Sequence, residues 1–365
     1  MCAHTIYFNP DVIYIKSQIL KVKIKDIAIH AGVSTGTVDR VIHNRGRVSK
    51  RTRDLVRQSM AELQYKPDIV ARTLARREDS LLKALIPYPY QDYYWKIVRD
   101  GIEKGFSEFA PYRLNGQIHF YDMNDSGHFE EIATEILAES PDVVLIGSEY
   151  HQQTIALIKA CEKREIHCIV LNAEITSVPV LTYIGINTYV AGELVGRILR
   201  NTRDRTSVLV VHTTENIENT IHLKKKELGL INALDQSDLG FNTDSIVLGN
   251  ETNKKLAGEL LFEKIHKNEV DTVYFSTSRA YQYAPMLRKA FPELFIIGHD
   301  LIDHHIHLLK VGVIDLIIDQ SGFQMGYNGV KSWLDYRILE QKIQDTQYLP
   351  ITVVYPENLP YFIQR

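Results

Sequence analysis

The chain has 365 residues, 45% hydrophobic and 24% charged, too long for one ordinary domain and too apolar for a disordered polymer. It lacks an apolar run of the roughly 18–20 residues that span a bilayer, and its first residues lack a secretory leader pattern. Its sparse cysteines (Cys2, Cys161, Cys168) build no disulfide framework, so a cytoplasmic protein is expected.

The net charge of −3 hides an asymmetry. Residues 21–80 carry 14 Lys/Arg against 7 Asp/Glu, whereas residues 81–365 carry 27 against 37. A basic module on an acidic body points to nucleic-acid contact at one end, with a merely solvated basic surface as the alternative.

Residues 1–20 show no clean period and form an extension of undefined order. From Ile24 the pattern becomes helical: Ile24, Ile27, Ala28 and Ala31 share a face, and Gly32 supplies a turn. Ser34 is placed to cap a short helix from Thr35 to His43, with Val38, Val41 and Ile42 on its apolar side. Asn44-Arg45-Gly46 is loop chemistry. Ser49 then caps a longer helix through Leu63, with Leu55, Val56, Met60 and Leu63 at core spacing. Three short helices with Ala-Gly in the first turn predict a helix-turn-helix domain over 21–66. Tyr65-Lys66-Pro67 breaks that unit, and Asp68 is placed to cap one more short helix, Ile69 to Ala75. Residues 67–80 are thus read as a hinge helix and charged linker.

Beyond residue 80 the texture alternates. Ten apolar strand candidates run from Leu82–Pro87 and Val143–Ile146 through Ser245–Leu248 and Thr272–Phe275 to Leu316–Ile318. Helical stretches such as Trp95–Phe109, Thr154–Arg164, Ala191–Arg200 and Ala284–Ala290 lie between many of them. This alternation predicts an α/β body over 81–365, with two doubly wound parallel sheets in two lobes. In such sheets ligands bind beyond the strand C-termini, which selects the pocket candidates.

The headpiece residues Ile24-Lys25-Asp26-Ile27-Ala28, Ala31-Gly32-Val33-Ser34, Thr37-Val38 and Arg40-Val41 resemble the lactose-repressor (LacI/GalR) family. The resemblance continues through Val48-Ser49, Thr52-Arg53, Val56, Ala61-Glu62-Leu63, Tyr65, Pro67, Ala71 and Leu74-Ala75, about fifty residues with spacing intact. The remainder looks like that family's two-lobed, periplasmic-binding-protein-like sensor. The resemblance implies a transcription regulator, a repressor whose operator affinity is set by a small ligand, a sugar or sugar derivative. It also implies a homodimer on a pseudo-palindromic operator, because paired hinge helices enter the minor groove and wedge Leu74 into a base step beside Ala71.

By family position Thr35 and Gly36 face base edges, with Arg40 one turn on. A guanidinium matches the O6/N7 acceptor pair of guanine, while Gly36 offers no side chain and Asp39 replaces the family's small hydroxyl residue. Thr37, His43, Arg45, Arg47, Ser49 and Lys50 are assigned to phosphates, each with a solvated surface charge or hydroxyl as the plain alternative.

On the sensing side, the loop holding Tyr90, Asp92, Tyr93, Tyr94 and Trp95 offers rings to stack on a sugar, although Tyr94 and Trp95 also suit a helix core. Later loops supply Asp122 and Asn124, then Ser148-Glu149-Tyr150, then Asn172-Ala173-Glu174. Lys226 stands where relatives carry a ligand-contacting arginine, without the bidentate fork. Gly298-His299-Asp300 matches a family Gly-x-Asp element, and Gln320 falls where the family places either a ligand contact or a hinge hydrogen bond.

Asp300, Asp303, His304, His305 and His307 suggest a metal set, but no second Cys/His pair supports it and adjacent histidines on a surface helix explain it. No catalytic motif, cofactor or membrane partner is expected. A carbohydrate solute-binding protein without a DNA role would need a leader and no headpiece; a regulator sensing a nucleobase as corepressor stays open.

Overall fold

The computed structural model describes residues 4–9, 12–17, 22–42, 46, 48–63, 65, 79–202, 206–214, 220–236, 240–249 and 254–363. The chain divides into two units, Met1–Arg72 and Thr73–Arg365.

In the first unit, strands β1 (His4–Asn9) and β2 (Val12–Ser17) pair antiparallel, from His4↔Ser17 to Asn9↔Val12. The opening residues thus carry backbone pairing that their sequence pattern does not announce. Helices α1 (Ile24–His30), α2 (Thr35–Ile42) and α3 (Lys50–Glu62) follow. Gly32 turns the chain at φ +63, a backbone region open to glycine at little cost. The Ser34 and Ser49 hydroxyls each accept the backbone N–H three residues on, from Thr37 and Thr52, both at 3.2 Å. Ile27, Ala28, Ala31, Val38, Val41 and Val56 form a small core, with Met60, Leu63 and Tyr65 packed against it. Leu55, expected in that core, is 45% exposed; successive helix positions diverge by about 100°, and Val56 faces inward instead. The hinge positions Ala71 and Leu74, and the loop positions His43, Arg45 and Arg47, lie outside the described residues.

The second unit opens with lobe 1: β3 (Ser80–Pro87), α4 (Tyr93–Phe109), β4 (Leu114–Tyr121), α5 (Ser126–Ala138) and β5 (Val143–Gly147). It continues with α6 (His151–Glu162), β6 (His167–Leu171) and β7 (Thr182–Gly185). Helix α7 (Thr188–Thr202) carries the chain to lobe 2: β8 (Thr206–Thr213), α8 (Ile221–Asp235), β9 (Phe241–Leu248) and α9 (Lys254–Lys267). Then come β10 (Thr272–Phe275), α10 (Ala284–Ala290), β11 (Phe295–His299), α11 (Asp303–Lys310) and β12 (Leu316–Asp319). Helix α12 (Gly322–Arg337) returns to lobe 1 at β13 (Thr346–Tyr348), and β14 (Thr352–Val354) ends in lobe 2.

The two six-stranded sheets have orders β13-β7-β6-β5-β3-β4 and β14-β12-β11-β10-β8-β9, parallel except at β14. The central strands are buried along their length, as both faces of each sheet are covered. In β3, Leu82, Ala84 and Ile86 pack under α4 and α12, while Leu85 packs with α5 and α6 on the other face. Lys83 in the same strand is fully buried and directs its ammonium to Glu139 at 2.5 Å and to Gln117.

Glycines let two helix pairs cross at backbone contact. A Cβ at Gly192 (α7) would fall 1.7 Å from the Lys226 carbonyl of α8, and one at Gly229 would fall 2.0 Å from the Tyr189 carbonyl of α7. Gly101 (α4) and Gly326 (α12) meet the Phe323 and Val98 carbonyls in the same way, each at 2.1 Å. Each crossover helix is thereby seated on the lobe it leads into. None of the described helices is long and apolar enough to cross a membrane.

Candidate functional site

The strand C-termini of both lobes face one cavity of about 250 Å³. Its lobe-1 wall is built from the ends of β3, β4, β5 and β6. Asp92 caps α4 by accepting from the Tyr94 N–H (3.0 Å), which aims Tyr94 and Trp95 inward. Glu149 and Tyr150 follow β5, and Asn172 follows β6. The lobe-2 wall comprises Thr213 after β8, the first turns of α8 with His222 and Lys226, Ser276-Thr277-Ser278-Arg279 after β10, Asp300 after β11 and Gln320 after β12.

Asn172 and Asp300 occupy equivalent places in the two sheets. Both have positive φ (68 and 67), a region that Asn and Asp tolerate better than most residues, and each backbone N–H donates to the neighbouring strand, at Ile184 and Ile318. Their side chains are held differently. The Tyr94 hydroxyl donates to Asn172 Oδ1 (3.3 Å), whereas the Gln320 amide donates to both Asp300 oxygens (3.0 Å each).

His305, buried and not on the surface as expected, fixes the Asp300 backbone. Its Nε2 accepts from the Tyr281 N–H (3.1 Å), so its Nδ1 carries the proton and donates to the Asp300 carbonyl (3.0 Å). Burial lowers His305 to about 4 and keeps it neutral. Among the described residues no group of three or more His/Cys/Asp/Glu is arranged to hold a metal ion.

Behind the cavity a buried relay orders the β10 end: Glu227 Oε2 to His212 Nε2 (3.0 Å), and His212 Nδ1 to Ser276 Oγ (2.8 Å). The Ser276 carbonyl then accepts from the Lys226 ammonium at 3.0 Å.

The electrostatics follow from desolvation with incomplete pairing. Burial, reinforced by Asp319 and opposed by Lys226, pushes Asp300 up to about 8. Burial and the Asp92 charge raise Glu149 to about 7. Burial brings Lys226 down to about 8 against the pull of Asp300 and Glu149. Burial and Lys226 depress His222 to about 3, so its 3.8 Å approach to Glu149 is a neutral contact at neutral pH. Two polar groups on the cavity wall, Thr213 Oγ1 and Thr277 Oγ1, have no hydrogen-bond partner among the described residues.

The lobes also grip each other across the cavity mouth. Ser278 Oγ donates to Asp92 Oδ1 (2.5 Å), and Arg279 reaches Asp92 Oδ2 (3.4 Å) and the Gln91 carbonyl (3.3 Å). Lys225 pairs with Glu174 at 3.3 Å, and Tyr93 packs on His304 with ring centroids 4.6 Å apart.

Of the eleven expected ligand positions, Asp92, Tyr94, Trp95, Glu149, Asn172, Lys226, Asp300 and Gln320 come together at the cavity. Three lie elsewhere. Tyr90 is 70% exposed and stacks on Tyr88; Tyr93 serves the rim contact with His304 and Tyr281; Asp122 binds the Gln91 amide (2.7 Å) and the Asn124 N–H (2.8 Å) to shape its own loop. Sequence reading missed the Ser276–Arg279 segment, although the strand-end rule applied to Thr272–Phe275 reaches it. His222 gave no signal, because its helix was not marked.

In the head, Thr35, Gly36, Arg40 and Ser49 are exposed, with Thr37 half-buried and its hydroxyl 2.9 Å from that of Ser34. The exposed Thr35, Gly36 and Arg40 share the helix whose other side carries the core residues Val38 and Val41.

Comparison with known proteins extends this geometry. Residues 23–68 match the lacI family of bacterial regulatory proteins, and residues 83–338 match the periplasmic binding protein domain. The HTH-type transcriptional regulator MalR of Streptococcus pneumoniae is 35% identical over 91 residues, which cover 25% of this chain and 28% of that protein. The chain therefore matches well under two thirds of that relative's length. A solved LacI transcriptional regulator from Bacteroides fragilis superposes with a TM-score of 0.72 at 21% identity, covering 78% of this chain and 99% of that one. A periplasmic solute-binding protein from Actinobacillus succinogenes, solved with D-allose, gives a TM-score of 0.67 at 14% identity, covering 78% and 100%. These two likenesses establish a shared fold. Through residues 83–338 the chain belongs to the periplasmic binding protein domain family, and its head, residues 23–68, matches the lacI family of bacterial regulatory proteins.

Proposed function

We propose that this protein is a sequence-specific transcription repressor whose operator affinity is set by a small polyhydroxylated ligand, a sugar or sugar derivative, bound between the lobes of its body. The observation that carries the reading is the cavity itself. It is lined by carboxyls, amides, hydroxyls and aromatic rings, and it contains the Thr213 and Thr277 hydroxyls, which have no hydrogen-bond partner among the described residues. Such groups satisfy a ring rich in hydroxyls, and a volume of about 250 Å³ lies below the roughly 300–1,000 Å³ of drug-sized sites. The D-allose bound to a protein of the same fold supports that ligand class.

The head supplies DNA contact: Arg40 reads a guanine, Thr35 a neighbouring base, and Thr37 and Ser49 hold phosphates. His43, Arg45 and Arg47 join the phosphate set, and Ala71 and Leu74 the minor-groove contact. The protein acts in the cytoplasm as a homodimer on a pseudo-palindromic operator, by binding and with no catalytic step. Ligand closes the lobes, and the differential affinity of the two lobe arrangements for ligand changes affinity for DNA.

Two measurements test this. Arg40→Ala abolishes preference for the selected operator while salt-sensitive nonspecific binding persists; unchanged selectivity sinks the assignment. Asp300→Ala abolishes the thermal stabilisation given by the best sugar in a screen, and an undiminished shift removes Asp300 from the site.

A further inference from the structure

Resting on the reading of the cavity as the ligand site, its charges specify more than hydroxyl recognition. Among the described residues three carboxyls line it, Asp92, Glu149 and Asp300, and Asp319 adds a fourth against Asp300. Two described cations face them. Arg279 pairs with Asp92 across the cleft at 3.4 Å, also reaches the Gln91 carbonyl and the Met123 sulfur, and acts on Glu149 only through space. Lys226 donates to the Ser276 carbonyl and makes no ion pair among the described residues, although the charges of Asp300 and Glu149 both act on it. The imidazole that approaches Glu149, His222, is neutral.

The lobe-1 wall therefore presents a desolvated carboxyl, Glu149, which accepts from Trp95 and lies in the fields of Arg279 and Lys226 but makes no ion pair with either among the described residues. A buried carboxylate in that position is costly unless a positive charge joins it. Its elevation to about 7 is the same cost expressed as proton affinity.

We propose that the cavity selects a cationic, amine-bearing polyhydroxylated ligand, an amino sugar or small amino polyol, with its ammonium against Glu149 and its hydroxyls toward Thr213 and Thr277. A neutral sugar leaves Glu149 holding a proton or a charge with no ion-paired partner, and a sugar acid or sugar phosphate sets a further negative charge beside Asp92 and Glu149. The ammonium compensates Glu149, while the two orphaned hydroxyls gain partners.

The test is calorimetric titration of the full chain at neutral pH with D-glucosamine, D-galactosamine and D-mannosamine, each beside its N-acetyl form and its parent hexose, and with D-glucuronate. N-acetylation keeps the ring and removes the charge. At least one amine is expected to bind ten times more tightly than both its N-acetyl form and its parent hexose, and Glu149→Gln is expected to erase that margin. If neutral sugars or glucuronate bind as tightly as the amines, or if the margin survives in Glu149→Gln, the proposal is overturned and the sugar reading stands. If no compound binds, both fall.

Discussion

The two lobes are one topology written twice, and their differences show what topology leaves open. Strand order, the glycine-to-carbonyl helix crossings and the positive-φ residue after the fourth strand of each lobe in chain order, Asn172 or Asp300, all recur. So does an aspartate at the start of an inner strand: Asp142 accepts from the Leu81 N–H and Asp271 from the Ser207 N–H. What does not recur is charge. Lobe 1 brings carboxyls and rings to the cavity, whereas both cavity cations, Lys226 and Arg279, come from lobe 2. Backbone architecture thus decides where the walls stand, and single side chains decide what they bind.

The largest expected effect tests the shared architecture. Gly192→Ala and Gly326→Ala each place a methyl on a carbonyl oxygen, so the helices must separate. Chemical denaturation should show losses of about 3 kcal/mol or more in both lobes. A small loss in one lobe would mean that its crossing is looser than its twin.

The next test breaks the charge asymmetry. Asp300 has a folded pKa raised to about 8, so the ligand-free body holds an extra proton and loses stability as pH rises from the ordinary carboxyl range toward 8. Asp300→Asn should flatten that fall by up to about 1.4 kcal/mol per pH unit, read from the body's unfolding at pH 5 and 7. An unchanged slope would show that Asp300 is not burdened by burial.

Smaller effects sharpen the comparison. Asp142→Ala and Asp271→Ala should each cost about 1–3 kcal/mol. Each carboxylate accepts a strand-start N–H, at 2.7 Å and 3.3 Å, and a serine or threonine hydroxyl, at 3.3 Å and 2.7 Å, so distance alone would rank Asp271 lower only if the N–H bond dominates. Equal losses would count against a dominant N–H bond. Tyr94→Phe removes the long 3.3 Å bond to Asn172 and should cost about 1 kcal/mol or less. A larger loss would show that lobe 1 leans on this bond as lobe 2 leans on Gln320.

Much of this was legible in the residues. Caps and turns are local, so Ser34, Ser49 and Gly32 marked the head helices, and continuous apolar runs marked the buried strands. The family resemblance, together with the strand-end rule, located Asp92, Glu149, Asn172 and Asp300. Two kinds of element were not legible. Helices α8 and α12 were not marked, and the need for glycine at Gly229 and Gly326 comes from backbones that meet across space, which no local pattern shows. The strand at Phe241–Leu248 read as shorter because Asp244 interrupts its apolar run, and only the fold supplies Lys264 as that aspartate's partner, at 2.5 Å.

The sequence by itself determined the helix-turn-helix head, the twofold α/β body and most of the loops that meet at the cavity, because periodicity, capping and strand ends are short-range facts. Tertiary structure alone decided which aromatic side chains face the cavity, that Arg279 pairs with Asp92, and that Glu149 makes no ion pair with Lys226 or Arg279. Those outcomes depend on groups about 77 to 187 residues apart in the chain being brought within bonding distance or kept just beyond it.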